Sequence, residues 1–474
     1  MKLPTRVANP VLAVLIQHSG YNSLDKFAAA VNDLGAKRHG LKLYYDHIAV
    51  KRWLSGGTCQ HAEVVAEVLG RAWNVPIPAM VIWPQLRHGA RAPAAHLYPC
   101  VAVRTLDELA AYIGSDMLTR RKALTDATKI AVGTALVGPL LRWLNAPAAG
   151  LPAHDLPGSS RLTMATVTGI EAATTQFGLQ DAAIGGGLSR EAAVGQLKHA
   201  VDLLRDTTYT EAVGNRMLAA VAELAGMVGW MSHDVRMDGP AQRYFTLGLQ
   251  AARESGDPRA VLLRVRLLAC MARQMCALDQ PATGLQLVQA GLDIVPHGRH
   301  PASAAMLWNL KARMLGALGS DTVPEIRHAA ALAVDLLAEA EQCSDREAIA
   351  YVGPAELAGN AALAWQGAAI HNPALARRAE EQALFALAHR PDGFNRSRVF
   401  DQISLAAARF TLTEADQAAA DGHIALDVAA EVTTSGRVFN RLRTLLDYSA
   451  PYATRTPVRD FRDRLTLTLA AASG

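Results

Sequence analysis

Residues 215–257, NRMLAAVAELAGMVGWMSHDVRMDGPAQRYFTLGLQAARESGD, constrain the fold more than any other stretch of the chain. Two amphipathic patterns of similar length are split by a break at Asp238-Gly239-Pro240. The first sets Leu218, Val221, Ala225 and Val228 on one face. The second sets Ala241, Tyr244, Phe245, Leu247, Leu249 and Ala252 in and around an apolar stripe, and both follow the helical period. Small residues (Ala225, Gly226, Gly229, Ala241) fall where two such helices must approach closely. Asp257-Pro258 ends the second, because a residue before proline is pushed out of the α region. A single helical hairpin cannot bury its apolar face alone, so the pattern predicts further copies.

The copies follow. A helical pattern runs from Arg259 to about Ala277, and Pro281 opens its partner. Further pairs begin near Ala302 and Val323, then near Gly353 and Asn372. First members recur at roughly forty residues, longer than a minimal tetratricopeptide unit of about 34. Degenerate tetratricopeptide-like repeats with extended helices are expected, with an irregular helical bundle as the alternative. The chain from about Asn395 keeps helical periodicity and ends in a charged helix near Arg459–Leu465. In either arrangement a ligand surface is expected on the concave side of the array.

Charge divides the chain. Residues 1–75 hold nine Lys/Arg and five Asp/Glu; the remainder holds 38 of each, so the whole +4 excess lies at the front. A basic segment ahead of a neutral helical array points to a polyanion at the N-terminal end. The five cysteines, Cys59, Cys100, Cys270, Cys276 and Cys343, form neither a disulfide framework nor a zinc spacing, and a reducing cytoplasm is expected. No secretory leader is expected from the N-terminal pattern. Ala127–Leu144 is apolar and about a membrane span long, but Lys129, Pro139 and Arg142 interrupt it. It reads as a packing helix, no membrane partner is expected, and its apolarity makes it the candidate mediator of a homodimer.

Three parts result. Residues 1–85 form a small helical domain, 86–160 a connector with the apolar helix, and 161–474 the repeat array. In the first part Asn9-Pro10 opens a helix reaching about Ser19. Ser23 can cap a second, with Leu24, Phe27, Ala28 and Val31 inward. Asp46 can cap a third, HIAVKRWL, stopped by Gly56-Gly57, and a fourth starts near Ala62. In the third helix Ile48, Ala49, Trp53 and Leu54 are expected inward, and His47, Val50, Lys51 and Arg52 outward. Short helices, a small core and a basic outward edge fit a helix-turn-helix, which reads the major groove. Tyr45, His47, Val50, Lys51, Arg52 and Lys42 are the candidate contacts to double-stranded DNA; a four-helix bundle with a solvated basic face is the bland alternative. The expected fold is thus all-α, a helix-turn-helix bundle followed by a tetratricopeptide-like α-solenoid.

The stretch YDHIAVKRWLSG, preceded by FAAAVNDLGAKRHGLKL, resembles the Xre-like helix-turn-helix of large actinobacterial (Streptomyces-type) transcriptional regulators. Residues 185–204, 222–257 and 355–365 resemble the tetratricopeptide-like C-terminal region of the same regulators. Their AGWxxxD…GxAQRYF pattern stands here as Ala225, Gly229, Trp230, Asp234, Gly239, Ala241, Gln242, Arg243, Tyr244 and Phe245. The resemblance implies a cytoplasmic regulator of development or secondary metabolism. One departure follows the third helix: Gly57-Thr58-Cys59-Gln60-His61 lacks the basic, proline-containing turn of the family. The rival reading is a repeat-based interaction scaffold whose helix-turn-helix does not bind DNA.

Catalytic and metal chemistry find little footing. His297 and His300 have no Cys or acid nearby to complete a ligand set. Gly185-Gly186-Gly187 lacks the lysine and preceding strand of a phosphate cradle and reads as a flexible turn between helices. Neither an enzyme nor a cofactor is expected. On the array, Trp230, Arg243, Arg273, Gln274, Trp308, Asn309 and Arg313 are the candidates to bind an unknown peptide, metabolite or protein ligand.

Overall fold

Three hairpin turns in the chain are built alike, and they set the repeat. Arg236, Asp279 and Thr413 each take a left-handed backbone, with φ of 67°, 57° and 64°. Just beyond each, an amide reaches back five residues: Met237 N–H to Ser232 O, Gln280 N–H to Met275 O, and Glu414 N–H to Arg409 O, at 2.8, 2.8 and 2.9 Å. This closure satisfies carbonyls that a helix C-terminus leaves open, and it aims the next helix back along the first. The structure, a computed structural model, describes residues 9–73, 82–83, 102–118 and 130–472, apart from 18, 40, 56, 58, 60, 134–135, 139, 141–143, 145–149, 296–298, 320–321, 341–351 and 433. Among the described residues there is no strand, only two isolated bridges that tie the loop around His154 and Arg161 to Thr208 and Tyr209.

Two units emerge, residues 1–91 and 92–474. The first contains α1 (Pro10–Gln17), α2 (Leu24–His39), α3 (His47–Leu54) and α4 (Ala62–Trp73). Its core includes Leu12, Ile16, Phe27, Val31, Val50, Trp53, Leu54, Val65, Leu69 and Trp83. Asp46 caps α3 through its Oδ1, which accepts from Ala49 N–H at 2.9 Å, where the sequence places the cap. The inward face of α3 differs from expectation. Val50, expected outward, is fully buried, whereas Ile48, expected inward, is 63% exposed. Starting the helix at His47 puts Val50, Trp53 and Leu54 on one i, i+3, i+4 stripe, and Ile48 falls on the other side.

The second unit opens with α5 (Ala102–Leu118) and α6 (Met164–Ile184), followed by α7 (Arg190–Asp206) and α8 (Glu211–Asp234). Then come α9 (Asp238–Glu254), α10 (Ala260–Ala277), α11 (Pro281–Ile294), α12 (Pro301–Leu318), α13 (Val323–Glu339) and α14 (Pro354–Ala369). It ends with α15 (Ala376–His389), α16 (Asn395–Thr411), α17 (Ala415–Ala429), α18 (Gly436–Ser449) and α19 (Thr456–Ala471). Hairpins α8–α9, α10–α11, α12–α13, α14–α15 and α16–α17 stack in order, and the first helix of each also touches the first helix of the next. That is an α-solenoid of helical pairs. The break inside the 215–257 hairpin lies at Val235–Met237, and Asp238-Gly239-Pro240 forms the first turn of α9. Proline is tolerated there because first-turn amides have no intrahelical acceptor.

Tight crossings hold the stack. Gly229 meets the Phe245 ring, and Gly226 meets Leu267, so a methyl group at either would collide. At the α12–α14 crossing Gly316 and Gly367 let two backbones touch. The solenoid also closes on itself: α6 packs on α16, and α8 reaches α18.

The described residues of the connector, from Ala102 on, belong to this unit. Ile130–Val132, expected in a helix, are not helical; Ala131 N–H and O instead pair with the Gln242 side chain at 2.8 Å each. Extended backbone exposes both groups to that amide, which a helix would have consumed. Ala131, Leu136, Val137, Leu140 and Leu144 are buried in the array's own core, and Ile130 and Val132 pack against it partly buried. Of this stretch, residues 127–129, 134–135, 139 and 141–143 lie outside the described residues. No helix among the described residues is long and apolar enough to cross a membrane.

Candidate functional site

The closed solenoid turns its first helices inward, and they carry charge. Asp181 on α6 accepts a bidentate pair from Arg396 of α16, both bonds at 2.7 Å. Asp234, at the end of α8 and fully buried, accepts from Gly186 N–H at 3.0 Å, Ser435 Oγ at 2.9 Å and Arg437 Nε at 3.1 Å. Burial opposes the Asp234 charge, yet Arg396 and Arg437 hold its pKa below the usual carboxylate range. Burial likewise works against Arg396, and Asp181 and Asp234 raise it above its ordinary value. These contacts join α6 and the end of α8 to the starts of α16 and α18, across more than 200 residues of chain.

The tri-glycine turn belongs to this clasp. Gly185 has φ of 91°, a Cβ on Gly186 would lie 2.7 Å from Met231 Cα, and one on Gly187 would lie 2.9 Å from Thr434 Cβ. Thr434 Oγ1 donates to Ile184 O at 3.0 Å. The segment expected to be a flexible turn is a junction where three chain segments meet without side chains between them.

Further round the interior, Glu356 on α14 lies between Arg273 of α10 at 3.3 Å and Arg390 at 3.1 Å. Burial would raise the Glu356 pKa, but those two guanidiniums hold it down. Arg390 also grips Asp401 at 2.8 Å. Burial pushes the Asp401 carboxyl up to about 7 against the pull of Arg390, and the nearby Glu356 charge adds to the push. Arg437 lies over Trp230 at 4.5 Å and over Phe400 at 5.3 Å. Burial, and the Arg396 charge beside it, bring Arg437 down to about 10 despite Asp234. Glu356 keeps 22% of its side-chain surface open to solvent.

The candidate ligand residues separate accordingly. Trp230, Arg273 and Arg313 share the interior with these groups. Arg243 does not: it pairs with Glu108 of α5 at 3.2 Å and lies over Tyr112, on the connector side. Gln274 is fully buried, with its amide on Asp238 O at 2.7 Å. Asn309 is buried with its amide on Leu357 O at 2.9 Å, joining α12 to α14. Trp308 faces α13, between Lys311 and His328. These four were placed by repeat analogy, and the helix rotation turned them into the packing layers.

The AQRYF segment proves to be the seat of the connector. Gln242 holds Ala131, Arg243 holds Glu108, Tyr244 donates to Asp116 at 2.7 Å, and Phe245 fills the space beside Gly229. The residues missed in the sequence, Asp181, Asp234, Glu356, Arg390, Arg396, Asp401, Arg437 and Arg441, lie mostly on first helices. A signal was present: Arg-Val-Phe occurs at 398–400 and again at 437–439, at the start of α16 and of α18.

In the first unit, Lys51 and Arg52 are exposed on α3 and Lys42 is exposed on the loop before it. His47 pairs with Asp25 at 2.9 Å, which ties α3 to the first turn of α2. Tyr45 is structural: its backbone exchanges two bonds with the Asn32 side chain, its hydroxyl meets His61 Nδ1 at 2.8 Å, and its ring abuts Trp53. Burial pushes its pKa up to about 12. Of the six candidate DNA contacts, Val50 and Tyr45 are thus packing residues, and Lys42, Lys51 and Arg52 present charge to solvent. His300 is the described member of the pair with His297, and no group of three or more His, Cys, Asp or Glu among the described residues is placed to hold a metal ion.

The protein is therefore a small helical unit followed by a closed helical-repeat array. Residues 12–82 match the family described as SP15 N-terminal domain. That span covers the core of the first unit almost end to end, from Leu12 to Ile82. No curated protein and no solved structure matches the chain.

Proposed function

We propose that the chain is a DNA-binding transcriptional regulator whose repeat array is its sensor. The observation that carries this reading is α3: capped by Asp46, held to the core by Val50, Trp53 and Leu54, it leaves Lys51 and Arg52 on an exposed face. A short helix anchored on one side and basic on the other suits a groove lined with phosphates and guanine edges. The resemblance to actinobacterial Xre-like regulators supports the same role and suggests control of development or secondary metabolism in the cytoplasm. Exposed Ile48 on the same helix can contact a thymine methyl.

One copy of such a unit contacts few bases, so the active form is proposed to be a homodimer. The described apolar residues of 127–144 pack against the array's core, which favours a dimer contact elsewhere; light scattering at micromolar concentration tests for the dimer. DNA binding is tested by fluorescence anisotropy with duplex fragments from the protein's own locus. With Lys42, Lys51 and Arg52 on phosphates, log affinity should fall with log salt at a slope of about −3 per copy. Absence of binding at low salt favours the rival, a repeat scaffold that engages proteins alone.

A further inference from the structure

The outward face of α3 has an apolar centre. The buried Val50, Trp53 and Leu54 mark one side of the helix, and at about 100° per residue Ile48 stands about opposite them. Lys51 and Arg52 then fall about 60° and 40° to either side of Ile48. All three are exposed, Ile48 by 63%. Neither cation has a carboxylate partner among the described residues. His47, at the first turn, is already tied to Asp25 at 2.9 Å. The helix is firmly set: Asp46 caps it, Trp53 is fully buried, and the Asn32 side chain holds the Tyr45 backbone just ahead by bonds of 2.8 and 2.9 Å. A rigid, protruding helix thus presents one branched apolar side chain flanked by two free cations. One isoleucine is too little apolar surface for a stable protein interface, which buries about 800 Å² on each partner. The pattern complements the major groove instead, where the C5 methyl of thymine is an apolar spot among phosphates and base acceptors.

We propose that α3 selects a T·A pair by holding the thymine methyl against Ile48, and a guanine no more than two base pairs away through Arg52. The inference rests on the DNA-binding reading above by naming the bases that are read. Ile48 and Arg52 are one turn apart, about 6 Å along the helix axis. Successive base pairs are about 3.4 Å apart, so the two side chains land within two pairs of each other. The planar guanidinium fork of Arg52 matches guanine O6 and N7, whereas Lys51 is a point charge suited to a phosphate.

The test uses the full chain and the shortest duplex from its own locus that it binds, by anisotropy, at low salt. Each thymine is replaced in turn by deoxyuridine, which lacks only the C5 methyl, and each guanine by its 7-deaza analogue, which lacks only the N7 acceptor. The parent should lose about fourfold in affinity at one thymine, or at two related by the symmetry of the site. It should lose about tenfold at a guanine within two base pairs of that position. Ile48→Ala should bind the thymine and uracil duplexes equally, with an unchanged melting temperature, whereas Ile48→Val should keep most of the discrimination. Arg52→Ala should become indifferent to the deaza guanine and stay sensitive to uracil. Uracil tolerated at every position, or a uracil effect that survives Ile48→Ala, overturns the Ile48 assignment. A sensitive guanine farther away, or none, overturns that of Arg52. Either result leaves the regulator reading standing, because the duplex is still bound. If no duplex is bound at low salt, the regulator reading falls and this inference falls with it.

Discussion

The two units place arginine and lysine in opposite ways. In the first, the core is apolar, and Lys42, Lys51 and Arg52 stand on the surface. In the second, Arg396 and Arg390 are buried inside and bound to carboxylates, with Arg437 close behind. A surface lysine costs little to hold and is available to a partner. A buried arginine must be matched, and once matched it is part of the scaffold. The comparison teaches that a near-neutral charge tally, 36 Lys/Arg against 38 Asp/Glu in residues 92–474, can conceal a strongly charged interior.

The sharpest way to break the comparison is to remove one inward charge. Asp234→Ala leaves Arg437 without its carboxylate partner and strips Gly186 and Ser435 of an acceptor. Removing one member of a buried pair costs about 3–5 kcal/mol, to be read from urea unfolding. Lys51→Ala, on the surface, should stay within about 0.5 kcal/mol of the parent. Comparable effects from the two would erase the distinction.

Acid should find the same junction. His233, fully buried next to Asp234, donates from Nδ1 to Asp238 at 2.6 Å, and its Nε2 has no partner among the described residues. A proton on Nε2 would be a buried donor with nowhere to go. Burial accordingly lowers the His233 pKa to about 4, against 6.5 when unfolded. The unfolded chain then binds the extra proton first, so stability is intact above pH 6.5 and falls as the pH drops toward 4. The loss approaches roughly 3 kcal/mol at the lower end. His233→Asn should flatten this part of the stability–pH curve; an unchanged slope would mean that other groups carry it.

How much of this was legible varies by level. The helical period and the small residues at crossings, such as Gly226 and Gly229, made the hairpins readable, because packing geometry repeats locally. The Asp46 cap was readable for the same reason. The buried ion pairs were not, since Asp181 and Arg396 are 215 residues apart and meet only once the whole superhelix has turned. Val50 was misplaced because α3 has only eight residues, too few for the period to fix its rotation. AQRYF attracted a ligand reading because it is distinctive, yet what it holds is the chain's own connector.

On the outward side, Lys51→Ala/Arg52→Ala should weaken duplex binding by at least about tenfold, since charge-assisted base contacts contribute about 1–3 kcal/mol each and phosphate contacts less. The melting temperature should not move. Anisotropy titrations of parent and variant decide this, and equal affinities would show that another surface meets the DNA.

The smallest effect tests the repeat turn shared by the array. Thr413 takes φ of 64° at the α16–α17 turn, where Arg236 and Asp279 hold the same conformation at two others. Threonine is the worst suited of the three, because its branched Cβ crowds the backbone in the left-handed region, whereas Asp tolerates it better. Thr413→Gly removes that crowding and adds freedom to the unfolded chain, two effects of opposite sign. The steric relief is worth about 1–2 kcal/mol and the entropy about 0.5–1 kcal/mol, so a net gain of roughly 0.5–1 kcal/mol is expected. Asp279→Gly should gain less, because Asp starts from a smaller penalty. If Thr413→Gly destabilises the protein in urea unfolding, the turn at 413 owes its shape to contacts of the threonine side chain rather than to the closure shared with 236 and 279.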